Sequence, residues 1–246
     1  MTALYDAIGR TYAQHRRVDE RIAAPIWDAI RDSASVVNVG AGAGSYEPRD
    51  RHVVAVEPSA TMIAQRAAGL APAVQATAEA LPFACGSFDA VMAVLTIHHW
   101  RDIRAGLREC VRVARRRIVL FTWDPASEGL WLLRDYFPAL QARDRTRFPS
   151  IATIESVVGP LEVRAVPIPA DCTDGFLGAY WRRPASYLDA GVRQGMSTFA
   201  RSDIDLSPFA QLGSDLHSGE WARRYALLAK MESLDLGYRL LVRHLT

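Results

Sequence analysis

The sequence predicts an α/β protein: a mostly parallel, seven-stranded sheet with helices on both faces and a helical cap inserted between the last two strands. Three observations predict it. Through residues 36–123, short apolar runs alternate with helix-period segments, the pattern left by parallel strands joined through crossover helices. One run, Val36-Val37-Asn38-Val39, passes straight into Gly40-Ala41-Gly42-Ala43-Gly44, a backbone that something must approach closely. Residues 169–235 then carry helical patterns, with a strand signal on either side.

Taken in order, Leu4, Ile8 and Tyr12 recur at helical spacing, and Val18, Ile22, Ile26 and Ile30 continue the pattern. Pro25 is expected to open a new helix within this stretch. Residues 1–35 therefore read as N-terminal helices covering the ligand site. Strands are expected at 36–39, 52–57, weakly at 73–75, and at 88–94 and 117–123. Ser59 suits the N-cap of a helix ending near Gly69, and Asp102 that of a helix with Ile103, Leu107 and Val111 inward. A strand at 161–167 and a last one at 236–242 flank the cap. Within the cap, Leu188, Val192, Met196 and Phe199 share one helical face, and Trp221, Tyr225, Leu228 and Met231 another. The core is thus 36–168 with 236–246, and the cap is 169–235.

Composition narrows the function classes. The 246 residues are 50% apolar and 23% charged with a net charge of +2, an ordinary globular balance. No apolar run is long enough to span a bilayer and no signal-peptide core opens the chain. Cys85, Cys110 and Cys172 form no C-x-x-C pair, so reduced thiols and a cytoplasmic location are expected. Lys230 is the one lysine among 29 basic residues, which reads as coding bias. The charges are interspersed, so neither a nucleic-acid nor a membrane partner is expected. The sequence assigns no oligomeric state. No H-E-x-x-H and no clustered ligand set points to a metal.

The glycine turn has an acidic partner. Glu57 ends the second strand, where a carboxylate can accept both hydroxyls of a ribose. Together they point to a nucleoside, and two classes share that signature: dinucleotide oxidoreductases and S-adenosylmethionine methyltransferases. Ser45 stands where the dinucleotide fingerprint needs a third small residue, and Pro48 leaves little room for the helix a pyrophosphate wants. These details favour the methyltransferase. An NAD(P)-dependent oxidoreductase, or a nucleoside-cofactor-binding protein without catalysis, stays as the alternative.

Val36 to Tyr46, Val53 to Met62 and Ala76 to Trp100 resemble the motifs of class I S-adenosylmethionine-dependent methyltransferases, type 11, the set that includes ubiquinone-biosynthesis methyltransferases. The resemblance spans residues 1–125 and is densest in ATAEALPFACGSFDAVMAVLTIHHW. It implies a Rossmann-like fold, S-adenosyl-L-methionine as cofactor and a small-molecule methyl acceptor. It also implies that Gly40, Ala41 and Gly42 admit the methionine end and ribose, and that Glu57, followed by Pro58, holds the ribose hydroxyls. Met62 would cover the adenine, Ala78 and Glu79 border it, and Leu95 lie beneath. Tyr12 and Arg16 would close over the carboxylate end. Thr77 and Asn38 stand where the family often has acidic residues.

Methyl transfer from a sulfonium needs alignment and exclusion of water, and a base only where the nucleophile loses a proton. His98 and His99 follow the fourth strand, where acceptor and cofactor would meet, and are the candidate bases. Trp123 flanks the same mouth beside Asp124. Tyr180 and Trp181 of the cap are candidate substrate-stacking rings, with packing of the cap as their other reading.

Overall fold

The computed structural model describes residues 16–199 and 203–245. The helix expected around Leu4, Ile8 and Tyr12 lies outside them, and so does the predicted site residue Tyr12. The strands in chain order are β1 (Ser35–Val39), β2 (His52–Val56), β3 (Ala73–Val74), β4 (Phe88–Val94), β5 (Ala114–Trp123), β6 (Glu162–Ala165), β7 (Ile168–Pro169), β8 (Ser233–Leu234) and β9 (Tyr238–His244). Seven of them form one sheet in the order β3-β2-β1-β4-β5-β9-β6. Neighbours from β3 to β5 are parallel, whereas β9 runs antiparallel to both β5 and β6. The expected strand at 161–167 is shorter, β6 over 162–165, and beyond it β7 pairs with β8 in a two-stranded ribbon at the root of the cap.

Side-chain alternation along the strands explains the layers. Val36 and Met92 belong to the apolar cluster on one face, and Val37, Val39 and Val91 to that on the other, as a sheet covered on both sides requires. The first face receives α1 (Glu20–Ala29) and the cap; the second receives α3 (Ile103–Val113) and α6 (Ile151–Val158). Asp19 caps α1 by accepting the Arg21 amide. Helix α1 therefore starts at Glu20, and Pro25 lies inside it rather than opening it. Proline there donates no helical hydrogen bond. In α2 (Ala60–Ala64), Ser59 accepts the Met62 amide as expected. That helix stops short of Gly69, where Arg66 turns inward to the carbonyls of Gly42 and Ala71 and the Glu47 carboxylate. Asp102 caps α3 through the Ala105 amide.

Three helices between β5 and β6 have no counterpart in the sequence expectations, α4 (Trp131–Tyr136), α5 (Pro138–Arg147) and α6. In the cap, the face expected from Leu188 to Phe199 is interrupted. A 3-10 turn over Pro184–Leu188 gives way to α7 (Ala190–Gln194), which Asp189 caps and which ends at Gly195. Met196 and Phe199 are nevertheless buried with the rest of the cap. The cap continues through α8 (Pro208–Ser218) and α9 (Glu220–Arg224), where Trp221 and Tyr225 pack on Trp131. Among the described residues no helix is long and apolar enough to cross a membrane.

Candidate active site

Beyond the carboxyl ends of the parallel strands the chain opens into a cleft of about 390 Å³, the position where open α/β sheets place their ligands. Gly40, Ala41 and Gly42 form its floor after β1, Glu57 and Pro58 border it after β2, and Met62 reaches it from α2. Ala78, Glu79 and Leu95 complete its wall, with Arg16 at the margin. The cofactor residues expected from sequence, Tyr12 apart, thus meet in one place.

The turn is held by hydrogen bonds rather than by a long helix. The Gly40 and Ala41 amides both donate to the Val56 carbonyl, at 2.8 and 3.0 Å. Glu57, buried, accepts the Gly42 amide on one carboxylate oxygen (2.8 Å) and the Ser59 amide on the other (2.9 Å). Glu57 therefore ties the first strand exit to the second while facing the cleft. Glu79 accepts the amides of Arg101 and Asp102, which fixes the start of α3 against the opposite wall. Leu95 holds φ 51° and Tyr46 φ 66°. Side chains with a Cβ rarely enter this left-handed region, and such strain collects at functional sites.

These residues fit the cofactor that the resemblance implies. Asn38 is 2% exposed; its Nδ2 donates to Glu47, and its Oδ1 is buried in the cleft wall with no hydrogen-bond partner among the described residues. That orphan acceptor suits an ammonium or amine hydrogen. A Cβ at Gly42 would come within 3.3 Å of the Met62 methyl, so a side chain at residue 42 would crowd Met62 at this end of the cleft. Carboxylate, amide oxygen and apolar walls suit a nucleoside with an amino-acid tail.

A second, inner cavity of about 80 Å³ lies between the sheet and the cap. Arg16, Leu95 and His99 line both spaces and so mark where they join. Trp123 lines the inner cavity, its indole N–H donating to the Leu236 carbonyl at 2.9 Å. His98 and His99 occupy a 3-10 turn after β4. The His98 ring stacks on Phe148 with centroids 3.9 Å apart, and its buried Nδ1 has no hydrogen-bond partner among the described residues. Arg147 Nη2 lies 3.0 Å from His99 Nδ1. A guanidinium only donates, so that imidazole nitrogen is the acceptor. Burial, then the Arg147 charge, pulls His99 down to about 3. Burial, His99 and Arg147 hold His98 well below the usual imidazole range. Both rings are therefore neutral near pH 7.

Two predicted substrate residues fall elsewhere. Trp181 is wholly buried, its indole N–H donating to the Ile168 carbonyl while its own carbonyl accepts from Trp131. It is a core residue of the cap, because its hydrogen bonds and packing face inward. Tyr180 lies under the Arg183 guanidinium, 4.7 Å from its carbon, outside the lining of the cavity. In their place the cavity takes Asp144, Arg147 and Phe148 from the end of α5 and beyond, Phe176 from the cap, Thr198 and Tyr238. Sequence reasoning missed these. Residues 138–147 show no apolar stripe that would mark an inward face, and the one available signal, Asp144 and Arg147 three apart on a helix, usually denotes a solvated pair.

Comparison with known proteins agrees with this geometry. A family model described as a methyltransferase domain matches residues 37–121. The crystal structure of a putative methyltransferase from an antibiotic biosynthesis pathway of Anabaena variabilis ATCC 29413 is 32% identical. It covers 94% of this chain and 100% of its own, with a TM-score of 0.86. The YcgJ protein of Bacillus subtilis shares the fold at 20% identity, covering 92% of this chain and 97% of its own with a TM-score of 0.53. The uncharacterized protein YafE of Escherichia coli (strain K12) is 40% identical over 63 residues, which are 24% of this chain and 30% of YafE.

Proposed function

The chain belongs to the class I S-adenosylmethionine-dependent methyltransferase family, and from that premise we propose that it methylates an oxygen, nitrogen or carbon of a small-molecule metabolite held in the inner cavity. It is an enzyme of the methyltransferase class, and S-adenosylmethionine is its cofactor. Bound in the cleft, the sulfonium supplies an electrophilic methyl group for in-line displacement. The observation that carries the small-molecule reading is the junction of the two cavities, where Arg16, Leu95 and His99 face both spaces.

Each residue then has a task. Glu57 accepts the ribose hydroxyls while its amide bonds keep it from turning away. Asn38 Oδ1 accepts from the amino group, and Met62 covers the adenine. The rings of Trp123, Phe148 and Tyr238 exclude water from the acceptor, which strengthens every polar contact made there. His98 Nδ1 accepts a hydrogen bond from the acceptor and orients its lone pair. Neither imidazole has the basicity of an ordinary histidine, so any proton is lost in concert with transfer, with His98 better placed than Arg147-bound His99. Cys85, Cys110 and Cys172 are all unpaired, which supports a reducing, cytoplasmic setting.

The test is isotopic. Methyl-labelled S-adenosylmethionine is incubated with the protein and a fractionated cell extract, and label is followed into metabolite, protein and nucleic-acid pools. Label is expected in the metabolite pool. Label confined to protein or nucleic acid would refute the small-molecule reading. In parallel, S-adenosylhomocysteine is expected to raise the melting temperature and NAD to leave it unchanged, since only a ligand of the native state stabilises it.

A further inference from the structure

The inner cavity is walled largely by rings, yet one carboxylate is sealed into it. Asp144 is 3% exposed. Its Oδ2 accepts the Thr198 hydroxyl at 3.3 Å, and its buried Oδ1 has no hydrogen-bond partner among the described residues. Nor does Asp144 form an ion pair with any of them. The cations lining the cavity spend donors elsewhere. Arg147 gives Nε to the His98 carbonyl and Nη2 to His99, and Arg16 gives Nε and Nη2 to Asp174. Burial raises the Asp144 carboxyl above its ordinary range, and the Arg147 and Arg143 charges oppose that rise.

An unsatisfied buried acceptor is costly, the more so when charged. Such a group calls for an explanation, and a donor brought by a bound molecule supplies one. The cavity that Asp144 lines is also lined by Trp123, Phe148, Phe176 and Tyr238, rings that accept a flat apolar body and attract a cationic edge. We propose that Asp144 is the specificity-determining residue for a small aromatic amine, whose N–H or ammonium donates to Oδ1 while the ring lies among these aromatic walls. This proposal rests on the acceptor-site reading of the inner cavity. The amine is a recognition handle, whichever atom receives the methyl group.

Calorimetry on the full chain saturated with S-adenosylhomocysteine tests it. Benzylamine and phenethylamine are titrated against their methyl-ether counterparts, which accept but do not donate, and against arylalkanoates of the same ring. At least one amine is expected to bind tenfold or more tighter than its ether and its carboxylate. In Asp144→Asn and Asp144→Ala that preference should fall at least tenfold while S-adenosylhomocysteine affinity stays within twofold. Thermal denaturation establishes that the variants fold. If neither does, the wild-type comparison decides alone. Amines binding no better than the ethers, carboxylates binding best, or a preference surviving both substitutions would each overturn the proposal. Failure of S-adenosylhomocysteine to bind would instead count against the cofactor reading; the same titrations on cofactor-free protein would then still judge Asp144.

Discussion

A Cβ at residue 40 would lie 2.1 Å from Thr96 Oγ1, and the backbone there holds φ +73°. The glycine is therefore demanded by the protein's own β4 exit, closing on the end of β1, as well as by any ligand above it. The sequence made the demand legible and left its source hidden, because the residue that presses on Gly40 is far along the chain. Gly86 is the matched control: its φ is +60°, and a Cβ there would meet nothing within 4 Å. Gly86→Ala should cost about 1–2 kcal/mol for the left-handed conformation alone. Gly40→Ala should cost a further 1–3 kcal/mol of overpacking, roughly. Urea denaturation of the two variants decides; equal losses would mean that Thr96 moves aside freely. Glu57 shows the converse, a residue proposed for the ribose from its position alone. What the sequence could not show is that it also holds the Gly42 and Ser59 amides. Glu57→Ala should therefore weaken S-adenosylhomocysteine binding by about 1.5–3 kcal/mol, the range for a charge-assisted hydrogen bond. An unchanged Kd by calorimetry would remove Glu57 from the ribose.

Among elements, those framed by local chemistry were legible and those framed by tertiary packing were not. Ser59 and Asp102 cap α2 and α3 through their own neighbours' amides, an interaction written within a few residues. The helix Pro138–Arg147 buries Gln141 and Asp144 and exposes most of the rest, so no periodic apolar face announces it. The short turn Ile97–His99 carries the clearest pH consequence at this scale. His99 titrates near 3 in the folded chain against about 6.5 when exposed. Between those values the unfolded chain binds the extra proton, so stability rises with pH and the penalty is complete below pH 3. His99→Gln keeps an acceptor for Arg147 and removes the titration. The difference in unfolding free energy between wild type and variant should change with pH by up to about 1.4 kcal/mol per unit from 3 to 6.5. A pH-independent difference would show that His99 is accessible and ordinary.

For the molecule as a whole, three distant segments meet on one carboxylate. Asp174, 1% exposed at the root of the cap, accepts two hydrogen bonds from Arg16, at 2.5 and 2.9 Å, and one from the Tyr46 hydroxyl at 2.7 Å. Arg16 leads into α1 and lines both cavities, and Tyr46 closes the cofactor loop. Separations of 158 and 128 residues put this junction beyond any local pattern, although each partner lay in a segment whose general place was expected. Removing one member of a buried ion pair leaves the other desolvated and uncompensated, typically at about 3–5 kcal/mol. Asp174→Asn should cost that order of stability, whereas Tyr46→Phe, which forfeits one hydrogen bond, should cost about 1–2 kcal/mol. Because Arg16 borders the cleft, Asp174→Asn should also weaken S-adenosylhomocysteine binding several-fold. Chemical denaturation and calorimetry on the same two variants separate the possibilities. A large stability loss with unaltered cofactor affinity would make the junction a rivet of the cap alone. Loss of both would mean that the cap, the cofactor loop and the segment entering α1 are set by a single charge, so that closing the acceptor cavity and gripping the cofactor are one event.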